Sequence, residues 1–494
     1  MNLFTSNDAS SNDSALLKAV FLQLARDPYP AVRAITAQHP LAPAEALALL
    51  ARDEYYDIVA SVAQHTGTSI QLLECLANHP DHEVRRAVAG NHKATEDLLG
   101  WLAKDTDHEV RQAVAGHPEA PSALLWRLAG DSVASVRSAV ALNPRCPTNM
   151  MAELVGDDED CVRWSLAQNK SAPATLLRAL AADEHGWVRG HAAENAACPE
   201  ECLDELAEDD VMWVRRDVAA CQYSPVRLLR LLARDAEAKV REAVAENPNT
   251  PPDLLERLAE DDDDEVRATI AMHPHAPEEA LTRLAGDHCE GIRHHVAGHD
   301  RTPVHVLEAL CHDDDEDVRK QAMQNGRVPL KVLLRLSANA DEAGRILIAS
   351  GLVNRPDLPE DTIQALAEHP EPLIRCWLAQ NPFLTPALIE QLARDANPDV
   401  REILALLREN ISPDILSRLA NDPSDSVRHF VTANPLTPAA TLMQLMEDKN
   451  ETDRGKWLAM NPALPPAIAL QLLAEGDDEI RLELAKTLRR FDQE

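Results

Sequence analysis

Aromatic residues are scarce in this chain, where Phe, Trp and Tyr together make up only 3% of the 494 residues. A core built on large aromatic side chains is therefore excluded, and the buried surface must come from Leu, Val and Ala. The nine cysteines are scattered and show no spacing typical of a disulfide framework. We therefore expect an aliphatic core in a protein of a reducing compartment.

Long apolar runs are also absent from the sequence. The first ten residues contain neither a basic cluster nor an apolar stretch of signal-peptide length. No later segment approaches the roughly 20 consecutive apolar residues that a membrane-spanning helix requires. These absences predict a soluble, cytoplasmic protein without a membrane partner.

Basic residues are too few to balance the acidic ones. The sequence has 82 Asp and Glu against 48 Lys and Arg, which gives a formal net charge of −34. A field of this sign repels phosphate backbones, so nucleic acid is not an expected partner. It favours a protein or peptide partner with basic segments, and the sequence leaves the oligomeric state open.

A 26-residue repeat fills almost the whole chain and occurs about 18 times. Its most regular feature is an apolar residue followed by Arg, and we number positions from that apolar residue as 0. A fixed period of this length predicts a solenoid, in which each unit buries its apolar face against its neighbours. The regular anchors are Val84, Val110, Val136, Val162, Val188, Val214, Val240, Val266, Ile292 and Val318.

Two apolar stripes divide each unit into two short helices. Positions 0 and +4 are apolar in nearly every unit, as in Val110 and Val114, and this spacing lines one face of a helix. A second stripe lies upstream, as in Leu254, Leu255 and Leu258. Each unit is therefore predicted to contain helix A, a turn, helix B and a second turn.

The turns carry a regular set of polar residues. Asp is usual at position −5, where we expect it to cap helix B. Pro occupies position +11 in 12 of 18 units, where it suits the first turn of the next helix A. Position +7 is Asn or His in 14 of 18 units, and we expect this side chain to tolerate a left-handed helix end and to bond exposed carbonyls.

Two further positions indicate how the units stack. Ala fills position +5 in 16 of 18 units, and Arg fills position +1 in 16 of 18. We expect Ala to leave room for close packing, and the Arg side chain to cover the seam while its guanidinium reaches an Asp or a carbonyl. This Arg ladder is interpreted as structural, and the alternative is a ligand-binding stripe.

The unit resembles that of the leucine-rich repeat variant family, which reads approximately Leu-Leu-x-x-Leu-Ala-x-Asp, then Val-Arg-x-x-Val-Ala-x-Asn-Pro, then Thr-Pro. The resemblance extends from about Ser14 to Arg490. It implies an all-α, right-handed superhelical solenoid of alternating α- and 3₁₀-helices, broadly similar to HEAT-repeat arrays. A founding member carries a cysteine-rich iron–sulfur module before its repeats, but residues 1–13 contain no cysteine, so no cofactor is expected here.

Departures from the repeat set the predicted boundaries. Residues 1–13, rich in Ser, Asn and Asp, are expected to form a disordered tail. A regular block of repeats covers residues 14–350, and a less regular block covers 351–494 and ends in a polar cap. Between them Gly344 replaces the usual Val and four extra residues fall before Pro359, which predicts a bend or hinge.

Three tryptophans stand out from the small and polar residues of the outward face predicted for helix B. Trp187 and Trp213 lie at position −1 of adjacent units, Trp164 lies at position +2 of the unit before, and His191 follows Trp187 by one turn. Trp side chains contribute disproportionately to interfaces, so these residues predict a peptide-binding hot spot. The alternative is that they pack along their own helices or under loops.

Clusters of His, Cys and Glu raise the alternative of a metal site. His295 and His299 are four residues apart on one helix, a spacing that can chelate a metal. However, position +7 is structural in most units, and it holds several of these residues. The groups are His295 and His299 with Cys289 or His273, the trio Cys198, Cys202 and Cys221, and the dipeptides His82-Glu83 and His108-Glu109. The dipeptides are similar to those of di-iron HEAT-repeat hydroxylases, but they lie in the variable turn and are interpreted as solvated caps.

Acidic runs recur in the turn before helix B, at 157–160, 261–265 and 313–317. Stacking would place them along one edge of the solenoid. The simpler interpretation is solvation together with favourable helix N-terminus electrostatics. The alternative is a docking strip for a basic segment.

The function predicted from these features is a non-enzymatic protein–protein interaction scaffold. It would bind a protein or peptide along the groove through Trp164, Trp187, His191 and Trp213, with the acidic turns attracting a basic partner. One alternative is a metal-dependent enzyme or assembly factor that uses the His and Cys clusters. Another is a HEAT-like DNA-repair glycosylase, against which the net charge argues.

Overall fold

The computed structural model describes residues 11–339, 351, 358–406, 411–447 and 454–489. Within these residues every regular element is an α-helix, and successive helices of the repeat pack against each other, as Met212–Ala220 does against Ala238–Glu246. The all-α repeat solenoid expected from the sequence is confirmed. Gly344, on which the hinge prediction depends, lies outside the described residues.

Helices A and B alternate along the chain. Helix A spans Ser11–Leu24, Ala44–Leu50, Ile70–Leu76, Glu96–Leu102, Ser122–Leu128, Thr148–Leu154, Ala174–Leu180, Glu200–Leu206, Val226–Leu232, Pro252–Leu258, Glu278–Leu284, Val304–Leu310, Leu330–Asn339, Glu360–Ala367, Pro386–Leu392, Pro413–Leu419, Ala439–Glu447 and Pro466–Glu475. Helix B spans Pro30–Ala37, Tyr56–Gln64, His82–Gly90, His108–Gly116, Ala134–Leu142, Asp160–Gln168, Gly186–Glu194, Met212–Ala220, Ala238–Glu246, Asp264–Met272, Glu290–Gly298, Glu316–Gln324, Pro372–Ala379, Pro398–Leu406, Asp425–Ala433, Arg454–Ala459 and Asp478–Arg489.

Helix A is an α-helix and not the 3₁₀-helix that the family resemblance implies. In one unit the N–H of Leu255 donates to the carbonyl of Pro251 at 3.1 Å, and the N–H of Ala259 donates to the carbonyl of Leu255 at 3.0 Å. Bonds between residues four apart define the α-helix. Pro251, at position +11, directly precedes this helix and supplies its first acceptor.

The core is aliphatic, as the scarcity of aromatic residues predicted. Val214 and Val218, at positions 0 and +4 of one helix B, have no exposed surface, and neither does Leu229 of the next helix A. Ala219 at position +5 is also fully buried. The small side chain therefore leaves room for consecutive helices B to pack closely against each other.

Arg at position +1 forms the joint between consecutive units. Arg215 donates from Nε and Nη2 to the two carboxylate oxygens of Asp235 in the next unit, at 2.7 and 3.0 Å. Its Nη1 donates at 2.8 Å to the carbonyl of Asp209, which precedes helix B of its own unit. The structural interpretation of the Arg ladder is confirmed. The equivalent pairs, each about 20 residues apart, are Arg33–Asp53, Arg85–Asp105, Arg137–Asp157, Arg163–Asp183, Arg189–Asp209, Arg241–Asp261, Arg267–Asp287, Arg293–Asp313, Arg375–Asp395 and Arg401–Asp422.

The expectation that Asp at position −5 caps helix B is wrong. The carboxylate of Asp235 binds Arg215 and accepts one turn bond, at 2.9 Å, from the N–H of Glu237 before the helix begins. Where a side chain caps helix B, it is the residue two positions later. Asp81, for example, accepts from the N–H groups of Glu83 and Val84 at 2.9 and 3.4 Å.

Asn at position +7 forms a second connection between units. Nδ2 of Asn143 donates to the carbonyls of Ala115 and His117 in the preceding unit, at 2.7 and 3.0 Å. Its Oδ1 accepts from the N–H of Arg145 at 2.8 Å. The expected bonds to carbonyls are confirmed, but the left-handed helix end is wrong, because Asn143 is extended with φ −62° and ψ 127°.

The contacts divide the chain into two compact units. One consists of Met1–Val114 and Pro359–Glu494, and the other consists of Ala115–Leu358. The first helix begins at Ser11, and residues 1–10 and 490–494 lie outside the described residues. The boundaries, tail and cap expected from the sequence stay predictions. No helix in the described part of the chain is long and apolar enough to cross a membrane.

Two aspartates that each bind one arginine should differ greatly in how much stability is lost when they are replaced by alanine. The side chain of Asp235 is 9% exposed, whereas that of Asp253, which binds Arg230, is 60% exposed. Asp235→Ala leaves a largely buried guanidinium without its carboxylate and should lower the free energy of unfolding by about 3 kcal/mol. Asp253→Ala, the matched control, removes a solvent-screened pair and should change the free energy of unfolding far less than Asp235→Ala does. Denaturant unfolding of the full chain, followed by circular dichroism, measures both.

The loss of stability in Asp235→Ala should also depend on pH. The hydrogen bond from Arg215 holds the pKa of Asp235 below its ordinary value. The stabilisation is therefore complete above the unfolded-state pKa of about 4 and is lost as the pH falls through the lower folded-state pKa. The stability difference between wild type and Asp235→Ala should shrink below pH 4. A difference that stays constant from pH 7 to pH 3 would contradict the ionic account of the joint.

Candidate functional site

The helix Gly186–Glu194 departs from the repeat because it contains two glycines one turn apart, and each weakens a helix by about 1 kcal/mol relative to Ala. A methyl group on Gly186 would lie 3.2 Å from Nε1 of Trp213, and one on Gly190 would overlap Oδ2 of Asp217. The missing side chains therefore allow the next helix B to bring Trp213 and Asp217 close against this helix.

Trp187 and Trp213 form a stacked pair on the surface. Their ring centroids are 5.7 Å apart and their planes differ by 15°. Trp187 is 57% exposed and Trp213 is 38% exposed. Two stacked indoles offer a large contact area with few rotatable bonds, so little conformational entropy is lost when a partner binds them.

Trp164 and His191 form a second aromatic pair across the preceding joint. Their ring centroids are 5.1 Å apart, with an angle of 32° between the planes. The His191 ring also contacts Gln168 at 3.3 Å and Glu194 at 3.0 Å. The structure thus joins the four predicted residues into two pairs, and both pairs connect consecutive units.

Asp217 is a buried carboxylate one turn after Trp213 on the same helix. Only 5% of the residue is exposed, and its Oδ1 accepts two hydrogen bonds from Arg216, from Nε at 3.1 Å and Nη2 at 2.7 Å. Burial raises the pKa of Asp217, and Arg216 opposes that rise only in part. A buried acid with a raised pKa costs stability, which is common where a position has been adapted for function.

Sequence reasoning missed Gly186, Gly190, Arg216 and Asp217, although a signal for them exists. Asp217 lies at position +3, where the two units before and the two units after have Ser, His, Ala and Thr. Gly186 and Gly190 are also unusual, because the neighbouring units have residues with side chains at the same two positions. A comparison of each unit with the average repeat would have identified these positions.

The acidic runs have a divided role. The first residue of each run, such as Asp157, binds the Arg of the preceding unit, and Asp263 and Asp315 cap the following helix B. The other members, including Asp158 and Asp262, are exposed. Part of each run is therefore structural, and Asp264 also pairs with Arg267, while the exposed carboxylates give the turns a negative surface.

Both ring nitrogens of His299, one of the histidines at position +7, are engaged within the protein. Nε2 of His299 contacts the carbonyl of His273 in the preceding unit at 3.0 Å, and its Nδ1 accepts from the N–H of Arg301 at 3.0 Å. Asn143 makes the corresponding contacts, to the carbonyl of His117 and the N–H of Arg145, and adds a bond to the carbonyl of Ala115. His299 therefore connects two consecutive repeats, as its position in the repeat indicated.

The three cysteines of adjacent units are buried or half-buried thiols. Burial raises the pKa of Cys198 to about 12, and burial also raises the pKa of Cys202 and of Cys221. A thiol must lose its proton to bind a metal, so these shifts disfavour that role.

Among the described residues, one group of three has ligand atoms that all lie within 4.8 Å of one another, namely His82, Glu83 and Glu109. The group consists of the whole first dipeptide, His82-Glu83, and the glutamate of the second, His108-Glu109. Arg86 also lies in this group, with Nε 2.8 Å from Glu83 and 3.8 Å from Glu109. A metal would have to displace this guanidinium from both carboxylates.

The repeat of this chain has a known counterpart. The model of the leucine-rich repeat variant family matches residues 238–263, which is the length of one repeat. The matched segment consists of helix B at Ala238–Glu246 and the following helix A, Pro252–Leu258. A solved structure described as a leucine-rich repeat variant with a novel repetitive structural motif is 27% identical, with 45% of this chain and 88% of that chain covered and a TM-score of 0.37.

Two further structures match over most of the length of this chain at low sequence identity. Yeast importin-β is 12% identical, with 90% of this chain and 63% of that chain covered and a TM-score of 0.30. A homology model of the AP-3 complex is 12% identical, with 98% and 99% covered and a TM-score of 0.30. No curated protein matches the sequence.

The raised pKa of Asp217 predicts that this residue costs stability at neutral pH. Because the folded-state pKa lies above the unfolded-state value, the cost is absent at low pH and appears as the pH rises through the unfolded value of about 4. Asp217→Asn keeps an oxygen for Arg216 and should raise the thermal midpoint at pH 7 by a few degrees, with little change at pH 3. A lower midpoint at pH 7 would contradict this assignment.

Proposed function

We propose that this leucine-rich repeat variant protein is a non-enzymatic scaffold that binds a protein or peptide segment at the Trp187–Trp213 stack. The stack carries the proposal, because exposed aromatic pairs held by rigid helices resemble the anchor residues of protein interfaces. Trp164 and His191 extend the same surface by one unit.

The charge around the stack favours a basic residue in the partner. Glu184 and Asp210 are exposed, and each precedes one tryptophan of the stack by three residues. An indole face attracts Lys or Arg, and nearby carboxylates strengthen the attraction. At longer range, the net charge of −34 attracts a basic segment and increases its rate of association.

Arg216 and Asp217 complete the proposed surface. The guanidinium of Arg216 is held by the buried Asp217, while 45% of the Arg216 side chain remains exposed. An anchored Arg at the edge of an aromatic patch can donate to backbone carbonyls of a bound segment. The proposed site therefore combines two stacked indoles, an outer acidic edge and one oriented donor.

The cysteines support a reducing, cytoplasmic setting for this scaffold. All nine are free thiols, and five of them are buried. Buried free thiols pack as small apolar residues, and they persist where oxidants are scarce.

A random peptide library tests the binding proposal directly, because it samples many candidate segments at once. Peptides enriched on the wild-type protein should carry Lys or Arg next to an apolar residue, and their affinity should fall as salt is raised. Trp187→Ala/Trp213→Ala should weaken binding of the enriched peptides by about 30-fold, which corresponds to about 2 kcal/mol. Isothermal titration of the purified full chain measures the loss.

The chain offers a matched control for this experiment. Trp101 and Trp126 are also exposed, at 47% and 38%, but they lie on helices A. Trp101→Ala/Trp126→Ala removes the same number of indoles and should leave peptide affinity within about twofold of wild type. Equal losses in both double variants, or enriched peptides without basic residues, would refute the proposed site.

A metal-dependent function is the second candidate, because His82, Glu83 and Glu109 lie close together. The salt bridges from Arg86 satisfy the carboxylates without a metal, so we expect purified protein to contain no stoichiometric iron or zinc. Elemental analysis by inductively coupled plasma mass spectrometry tests this. A stoichiometric metal that disappears in Glu83→Ala/Glu109→Ala would favour the metal-dependent candidate over the scaffold.

A further inference from the structure

The first repeat of this sequence contributes the aspartate half of an Arg–Asp joint, Asp27. Asp27 lies at position −5 of this repeat, where other units receive an arginine from the unit before. In the structure Asp27 also has such a partner. Nε of Arg481 in the last repeat donates to Oδ2 of Asp27 at 2.8 Å.

The environment of this pair matches that of the interior joints. The side chain of Asp27 is 4% exposed and that of Arg481 is 15% exposed, while Asp235 and Arg215 are 9% and 17% exposed. Arg481 also donates from Nη1 to the carbonyl of Gly476 at 2.7 Å, as interior arginines donate to the carbonyl before their own helix B. The remaining Oδ1 of Asp27 accepts from the N–H of Tyr29 at 2.8 Å.

The apolar surfaces of the two terminal repeats merge into one core. The helix Ser11–Leu24 packs against Pro466–Glu475, and Pro30–Ala37 packs against Asp478–Arg489. Val20, Leu24 and Val32 from the beginning of the chain share this core with residues from its end. Those residues are Leu442, Leu458, Ala459, Ile468, Ala469, Leu472, Leu473, Leu484 and Ala485.

We propose that the last repeat binds the first repeat of the same chain through an Arg–Asp contact at the same repeat positions as the interior joints. This contact has one hydrogen bond where the interior joints have two, because Nη2 of Arg481 binds Asp478 of its own helix. Terminal repeats of a solenoid expose apolar surface unless special capping repeats cover it. Here each terminal repeat covers the other, and the occupant of each terminal face is the opposite end of the same chain. The Arg–Asp pair specifies this contact, and the shared aliphatic core supplies most of the buried surface.

A cleft of about 560 Å³ lies beside the joint, between Leu22, Gln23 and Arg26 on one side and Leu473 on the other. A cleft of this size holds water, so the apolar atoms that line it stay solvated and add no buried surface to the contact. The terminal joint is therefore the one that we expect to open first when the protein is destabilised.

Hydrogen exchange of the full-length chain tests the proposal. Asp27→Asn removes the charge that binds Arg481 but keeps the shape of the side chain. It should increase exchange on the order of tenfold in two helices that are far apart in sequence, Ser11–Leu24 and Pro466–Glu475. Arg481→Met should give the same pattern, since it removes the other partner of the same pair.

An interior joint provides the control. Asp422 binds Arg401 through two hydrogen bonds of 2.7 and 2.8 Å, so Asp422→Asn weakens an interior joint at least as strongly as Asp27→Asn weakens the terminal one. This variant should increase exchange near its own repeat and leave Ser11–Leu24 unchanged. The proposal is overturned if Asp27→Asn leaves exchange in Pro466–Glu475 unchanged. It is also overturned if protection of the two terminal helices depends on protein concentration and the native mass is that of a multimer, because the joint would then form between chains.

Discussion

The rest of the structure depends on the contact between Arg at position +1 and Asp of the following repeat. A guanidinium that binds both oxygens of a carboxylate fixes distance and orientation at once, and its third nitrogen binds a carbonyl of its own unit. Hydrophobic burial supplies attraction between helices B but does not by itself specify their register. The Asn side chain at position +7 adds a second directional bond at each joint where it occurs. Together these polar contacts turn a set of short amphipathic helices into a regular stack.

How much the sequence could predict follows from how local each feature is. The Arg–Asp contact was predictable, because the same residue types recur at the same spacing and have complementary charge. The role of Asp at position −5 as a helix cap was wrong, because Arg from another unit competes for that carboxylate. The conformation of Asn143 was also wrong, since the chain leaves helix B in an extended conformation that places the Asn side chain under the preceding unit.

The candidate site shows what a repeat pattern cannot reveal directly. The sequence identified Trp164, Trp187 and Trp213 as departures from the repeat, but the pairing of their rings depends on how consecutive helices B are stacked. The space for Trp213 and Asp217 comes from side chains that Gly186 and Gly190 lack. Likewise, the contact between Asp27 and Arg481 follows from no local pattern, because it joins residues 454 positions apart.

Structural and functional positions can therefore be separated within one stretch of the chain. Residues that follow the repeat hold the stack together, and residues that depart from it form the surface proposed for binding. An alanine scan of residues 183–235, with unfolding free energy and peptide affinity measured for every variant, tests this separation most directly. Alanine at Arg189 or Asp209, which form one Arg–Asp joint, should lower the free energy of unfolding while the folded fraction keeps its peptide affinity. Alanine at Trp187 or Trp213 should lower peptide affinity with little change in the free energy of unfolding. A scan in which the same residues control both quantities would contradict this separation.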